Sequence, residues 1–432
     1  MADLSIGIDF GTTNTVIALA GAEGPAHLVR FPAPEKEVFA FRSAISFHAP
    51  AERPKEREVE AGPWAIEAYV EDPLETRFIQ SFKSFAASAS FSETQILGRR
   101  YLFEDLLSAF LLKLRDHAGD DMAQLPKRVI VGRPVTFAGG APDEELALRR
   151  YEIAFERLGF TEILYSYEPV GAAFFFAREL TEDATVLVGD FGGGTSDFSI
   201  IRFTREGGEI HSTPLGRSGV GVAGDAFDYR IIDNLVSPQL GKGSSYTSFG
   251  KVLPIPNRYY STFARWDQLA LMRASREMRD IRKLVREAVE PEKIERLVEV
   301  LDENYGYMLY RSISKLKEAL SSQESAEFRF EAGTISITRD VARSEFEGWI
   351  TPELGLIEKA VDEALVDAGL EAGQIDRVFL TGGSSLVPAV RDIFHRRFEP
   401  SKIESGSELE SIASGLALMG RERDLTKWAR RA

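Results

Sequence analysis

At 432 residues, with 44% hydrophobic and 28% charged side chains, the chain has a globular composition and is too long for one ordinary domain, so two lobes are expected. A formal net charge of −15 argues against nucleic acid or an anionic membrane surface as a steady partner, while leaving room for a local basic pocket. Cysteine is absent, which excludes disulfides and thiolate metal sites. Met1-Ala2-Asp3-Leu4 lacks the pattern of a signal peptide, and no apolar run nears the roughly 18–20 residues of a membrane span, so a cytoplasmic location is expected.

In chain order, Leu4, Ile6 and Ile8 mark a strand that ends on Asp9 and enters Gly11-Thr12-Thr13-Asn14 before a second strand over 16–19. Residues 50–63 are rich in proline and charge and read as a surface loop. Helical spacing covers 104–116, a short strand covers 128–135, and 143–158 reads as a helix with acids in its first turn and Gly159 as its stop. A strand over 163–167 is followed by Glu168-Pro169, which opens a helix over 170–180.

A second half starts near Ala184 and repeats the opening design: Val186, Leu187 and Val188 lead to Asp190, then Gly192-Gly193-Gly194-Thr195, then another alternating strand. Residues 267–320 are charge-rich and helical, with a break around Pro291. A hairpin is expected over 327–339, a helix over 349–368, a buried strand over 377–381 that runs into Gly382-Gly383-Ser384, and a final helix over 409–419. The duplication is a two-fold structural repeat.

Each acidic-glycine turn exposes successive backbone N–H groups as an anion nest. Its glycines carry no Cβ to hold a phosphate off. The lone aspartate beside each nest suits a hydrated magnesium ion, which prefers carboxylate and water oxygens. One such turn is weak evidence, but two in order, with a Gly-Gly-Ser turn after a third strand, point to two lobes gripping a triphosphate. Gly241-Lys242-Gly243-Ser244 lacks the first glycine and the strand–loop–helix setting of a P-loop and is discounted. The five histidines have no metal-ligand spacing.

These motifs resemble the nucleotide-binding domain of heat-shock protein 70 chaperones, in the superfamily that also holds actin and the sugar kinases. The likeness rests on phosphate loop one (Asp9, Gly11, Thr12, Thr13, Asn14), loop two (Asp190 to Asp197), the connecting helices EPVGAA from Glu168 and SIASGLALMG from Ser411, and the adenosine loop TGGSS from Thr381. Lys83, in Ser-Phe-Lys-Ser-Phe, narrows it to the chaperone branch. Residues 231–310 match poorly.

The resemblance implies an α/β fold, two-lobed and actin-like, of duplicated ribonuclease-H-like domains: lobe I over 1–180, and lobe II over 181–432 with 231–310 as an outer subdomain. It implies ATP/ADP and Mg2+ as ligands, with Asp9 and Asp190 holding the waters of the metal. Gly11, Thr12, Thr13, Asn14, Gly192, Gly193, Gly194 and Thr195 would serve the phosphates. Lys83 would meet the γ-phosphate and the attacking water, and Glu168, Asp190, Thr195 and Asp197 would complete the catalytic group. Ser314, Lys317 and Ser321, on one helix face, with Gly224, Asp225, Gly382, Gly383 and Ser384, would hold the nucleoside.

The implied function is a slow Mg-dependent ATPase whose nucleotide state opens and closes the lobes of a chaperone-like protein. The alternatives are a small-molecule kinase of the same superfamily and an actin-like filament or scaffold protein. Glu318 and Leu386 stand where the family has adenine-flanking arginines. Losing both cation–π contacts, each worth about 0.5–2 kcal/mol, implies nucleotide binding weakened by roughly tenfold to a thousandfold. With about a dozen residues after Met419 and no peptide-binding domain in view, the chain resembles the nucleotide-domain-only branch. Client proteins or co-chaperones are the expected partners, with no nucleic acid, no membrane and a monomeric state.

Overall fold

The computed structural model describes residues 4–33, 37–49, 56–206, 209–265, 269, 272, 276–405, 410–422 and 425–432. These residues divide into two compact units, Met1–Gly224 with Gly355–Ala432, and Asp225–Leu354.

The first unit is built on two sheets of matching topology. In one, the order is Glu162–Tyr167, Arg128–Arg133, Ser5–Phe10, Asn14–Ala20, His27–Leu28. In the other it is Ile403–Ser405, Arg377–Thr381, Ala184–Phe191, Ser196–Glu206, Glu209–Val220. Each central strand, Ser5–Phe10 or Ala184–Phe191, has an antiparallel hairpin partner on one side and two successive parallel strands on the other. This is the repeat expected from the sequence, in a mixed α/β fold. Ala184–Phe191 is buried at every position, as a central strand with both faces covered must be.

Two helices pack between these elements. Glu168–Phe176 has Pro169 in its first turn, where the missing N–H costs nothing, and Ser411–Met419 is buried throughout. Both are apolar all round, which is the pattern of a helix enclosed by protein. They cross where Gly171 meets Gly415, so closely that a Cβ on Gly415 would overlap the Gly171 carbonyl and lie 3.0 Å from the Phe175 amide. Gly415→Ala is therefore expected to cost at least about 3 kcal/mol in denaturant unfolding, since neither backbone can recede from a packed core. Gly355→Ala is the control. Its Cβ would meet nothing, and in helix Thr351–Ala368 the change should stabilise by about 0.4–1 kcal/mol.

Phe174 and Phe176 join a core with Val186, Val188, Phe203 and Phe379, and the Phe176 and Phe379 rings stack with centroids 4.0 Å apart. The second core lies under the first sheet, where Phe10, Phe82, Phe103, Phe110 and Tyr151 are sealed from solvent.

Most predicted elements are present with shifted ends. Helix Glu144–Leu158 is capped by the Asp143 carboxylate, which accepts from the Leu146 amide at 2.9 Å. The strand expected over 128–135 is Arg128–Arg133, stopped before Pro134. The helix expected over 170–180 starts two residues earlier and tightens to a 3-10 turn at Ala177–Glu179. The hairpin expected over 327–339 is the longer Ser325–Ala332 and Ile335–Ala342. The helix over 349–368 is two helices, Arg343–Trp349 and Thr351–Ala368. Of the final helix, Ser411–Met419 is described and Leu409 lies outside the described residues.

One expectation was wrong. Residues 58–63 are not a loop: Glu58–Ala61 pairs with Ala44–His48 as a strand, and Gly62 opens a helix to Glu71 with Pro63 in its first turn. The proline that suggested a loop is a helix starter here. Residues 50–55, also part of that reading, lie outside the described residues.

In the second unit, helices Arg276–Leu284, Pro291–Asp302 and Gly306–Ser322 occupy most of the segment expected to be helical; Pro291 opens its helix. Parts of 266–275 lie outside the described residues. Gly241-Lys242-Gly243-Ser244 leads into the strand Ser245–Ser248, with no helix after it, and the P-loop likeness ends there.

Candidate functional site

The two acidic-glycine segments are hairpin turns of one construction. In the first, the Gly11 amide donates to the Asn14 carbonyl at 3.0 Å; in the second, the Gly192 amide donates to the Thr195 carbonyl at 3.0 Å. Their registers match as well, Phe10 opposite Thr15 and Phe191 opposite Ser196. The pairing sets Asp9 opposite Val16 but Asp190 opposite Asp197, so the second hairpin alone carries two carboxylates side by side. The tips converge: a Cβ on Gly194 would lie 3.2 Å from Thr12 Oγ1.

Neighbouring polar groups fix both turns. Ser43 Oγ donates to the Gly11 carbonyl at 2.7 Å, the Ser43 amide donates to the Thr13 carbonyl at 2.9 Å, and Arg42 reaches Asn14 Oδ1 at 3.3 Å. On the other side, Ser384 Oγ and the Gly224 amide both donate to the Gly192 carbonyl, at 3.3 and 3.4 Å. Arg42 and Ser43 escaped the sequence reading; Ser43 is the bend between strands Phe41–Arg42 and Ala44–His48, and no motif marks it.

Beneath the turns lies a buried acidic group with a single lysine. Lys83 follows Ser81, a non-glycine residue held at φ 54°, a costly conformation that sets the direction of the next residues. Far from being a solvated surface lysine, it is 7% exposed, and its Nζ donates to Glu168 Oε1 at 2.7 Å. The Phe10 ring lies 5.9 Å from Nζ. Burial alone would pull the ammonium pKa down, but Glu168, helped by Tyr151 and Asp9, overrides it and leaves the pKa above the usual value. Lys83 is thus a fixed cation and not a proton donor.

The aspartates are displaced the other way. Burial first, then the Glu168 charge, raises Asp9 to about 7 against the pull of Lys83. Burial, Glu168, Asp9 and Asp197 raise Asp190 well above the ordinary range. Asp197, fully sealed, rises to about 7 through burial and Glu168, although the Thr195 hydroxyl and the amides of Thr136 and Val135 hold it down in part. Those amides donate to Asp197 Oδ1 at 3.1 and 2.7 Å, so this carboxylate ties the second sheet to the segment leaving the first. Its other oxygen, Oδ2, is buried without a hydrogen-bond partner.

A cluster of carboxylates facing one ammonium is an arrangement that a cation would relieve. No three acidic or histidine side chains converge as a metal cage among the described residues. Asp9, half-buried, and Asp190, buried, instead fit a hard cation that completes its shell with water.

Gly382, Gly383 and Ser384 follow the buried strand Arg377–Thr381; Ser384 serves the Gly192 carbonyl, and Leu386 is exposed. In the second unit, Ser314, Lys317 and Ser321 occupy helix Gly306–Ser322 and are each partly buried, while Glu318 is exposed. Lys317 Nζ pairs with Asp228 Oδ1 at 2.7 Å; burial opposes its charge, but that pair, with Tyr310 and Asp225, holds its pKa above the usual value. Ser321 Oγ donates to the Lys317 carbonyl at 2.9 Å, and Asp225 stands in the first turn of helix Gly224–Ile231.

A family model described as Hsp70 protein matches residues 282–421. Over 426 residues the chain is 26% identical to chaperone protein DnaK of Deinococcus deserti, with 96% of this chain and 59% of the relative covered. It is 26% identical over 434 residues to the chaperone protein DnaK of Thermus thermophilus, covering 98% and 62% of the two chains. The chain is similar to proteins of the Hsp70 family. It spans about 60% of the length of the proteins it matches, the 59% and 62% just given. Among its described residues, no helix is long and apolar enough to cross a membrane.

Proposed function

We propose that this Hsp70-like chain binds ATP with Mg2+ and hydrolyses it slowly, as the nucleotide switch of a chaperone-like protein. The observation that carries this reading is the pair of equivalent turns converging at Thr12 and Gly194 above the Lys83–Glu168 ion pair. In it, the backbone and hydroxyl donors of Gly11, Thr12, Thr13, Asn14, Gly192, Gly193, Gly194 and Thr195 hold the phosphate oxygens. Gly224, Asp225, Ser314, Lys317, Ser321, Gly382, Gly383 and Ser384 serve the nucleoside. Residues 1–180 and 181–432 act as the two lobes, with 231–310 as outer subdomain.

Asp9 and Asp190 would hold a magnesium ion through its waters, and that ion would neutralise charge on the β- and γ-phosphates. Lys83, protonated throughout, stabilises negative charge that grows on the γ-phosphoryl oxygens. Glu168, fixed by Lys83, and Asp197, fixed by two amides, orient a water molecule for attack on the γ-phosphorus. The bond to the β-phosphate oxygen breaks, ADP leaves, and the proton of the water passes to the released phosphate.

Lobe movement, not rapid turnover, is the output in this reading, with client proteins or co-chaperones as partners of a cytoplasmic monomer. The matched relatives are named chaperones, which disfavours the kinase and filament alternatives. Single-turnover hydrolysis tests the proposal: Asp190→Asn should slow phosphate release from ATP by about a hundredfold or more, the usual cost of a charge-stabilising group. Equal rates in variant and wild type would remove the mechanism.

A further inference from the structure

A cavity of about 750 Å³ lies in the first unit, away from the turns, between the edges of its two sheets and the C-terminal segment 426–430. Arg133, Tyr165, Ser199, Arg217, Trp428 and Arg430 are among its walls. The segment is anchored there by a two-way pairing of Tyr165 with Arg430, whose amides donate to each other's carbonyls at 2.7 and 3.0 Å. Trp428 is 8% exposed and meets the Phe174 ring edge-on at 5.2 Å.

The electrostatics of this wall run against the rest of the molecule. In a chain of net charge −15, three guanidinium groups gather around one carboxylate, that of Glu144. Arg133 donates to it, Arg430 donates to it at 3.0 Å, and Arg217 acts on it through space. Arg133 and Arg217 also stand over one ring, their Cζ atoms 4.8 and 4.5 Å from the Tyr167 centroid. The lining acids are Glu363 and Asp367, the latter accepting from the Arg217 amide at 2.9 Å. With Glu144 they are three carboxylates against the four cations Arg133, Arg217, Lys427 and Arg430, which leaves one positive charge in local excess.

Three wall residues carry polar atoms that are buried and lack any hydrogen-bond partner: Arg133 Nη2, Tyr165 Oη and Ser199 Oγ. Arg133, Tyr165 and Ser199 are 1%, 2% and 2% exposed. These atoms are closed off from solvent, and the exposed cations of the wall are Arg217, Lys427 and Arg430. Val170, Ile201, Pro214 and Trp428 supply apolar surface beside these donors.

We propose that this cavity is a second ligand site, taking a small organic anion whose carboxylate or phosphate group meets the arginines and whose apolar body lies against Trp428 and Ile201. None of the residues assigned to the nucleotide contributes to it. The match of planar guanidinium forks to two acceptor oxygens favours such a headgroup over a neutral ligand.

Calorimetric titration of the full chain with benzoate and, separately, with phenyl phosphate tests this. Arg133 is buried and its loss endangers folding, so the informative variant is Arg217→Gln, at an exposed position, with the fold checked by circular dichroism. Saturable binding that weakens at least about tenfold in Arg217→Gln and is unchanged in Asp190→Asn is the expected result, and the tighter probe identifies the headgroup. No saturation by either probe below about 10 mM, a smaller loss in Arg217→Gln, or loss in Asp190→Asn would overturn the site.

Discussion

Replacing Lys83 with methionine is expected to lower the unfolding free energy by about 3–5 kcal/mol, because it leaves the buried Glu168 carboxylate without its cation. Both side chains are almost sealed, so solvent screens little of this loss. The double variant Lys83→Met with Glu168→Gln should recover more than half of it, since a neutral amide costs far less to bury. Stability and catalysis separate in that pair. Hydrolysis should stay about a hundredfold or more below wild type in both variants, because the cation facing the γ-phosphate is gone from each. Guanidinium unfolding and single-turnover kinetics on the same preparations check the two halves. A single-variant cost below about 1 kcal/mol would mean that the ion pair is solvated.

Without metal and nucleotide, the protein should lose stability as pH rises from about 4 to about 8, the reverse of ordinary acid denaturation. The sign follows from Asp9 and Asp197. Each has a folded pKa of about 7 against an ordinary value of 3.8, so between these values the folded state binds more protons than the unfolded one. Their stabilising contribution is complete below the unfolded value and is lost as pH rises through the folded one. At about 1.4 kcal/mol for each pKa unit, a single such carboxylate is worth on the order of 4 kcal/mol. Thermal unfolding in EDTA across this range is the measurement. Asp197→Asn, whose side-chain oxygen can still accept the amides of Val135 and Thr136, should flatten the profile, and added Mg2+ should restore stability near pH 8. A profile that rises through neutrality would show these carboxylates to be ionised and paired elsewhere.

The hairpins were legible in the sequence because aspartate, glycine and hydroxyl residues between apolar strands leave the backbone few other choices. Proline carried two meanings. Pro169 reads as a helix opener beside Glu168, whereas Pro63 reads as part of a loop because charged residues precede it; the helix there owes its place to packing by Gly62, Ala65 and Tyr69. Lys83 showed only its aromatic neighbours in the sequence. Its pairing with Glu168, 85 residues away, depends on the packing of the first sheet. Ser384 was legible from its motif, but its bond to the Gly192 carbonyl, like Ser43 and the Arg133–Tyr167–Arg217 stack, was not, since each joins strands or turns distant in the chain. Asp197 was singled out for its motif, but its tie to Val135 and Thr136 needed the second hairpin beside the first sheet.

The most direct test of a shared grip by both turns is calorimetric titration of the metal-free chain with ATP, with and without Mg2+, in wild type and in Gly194→Val. Saturable heat is expected with Mg2+, with affinities at least about tenfold lower without the ion and in the variant, whose side chain would crowd Thr12. Absence of heat at about millimolar ATP, or an affinity indifferent to both changes, would contradict it.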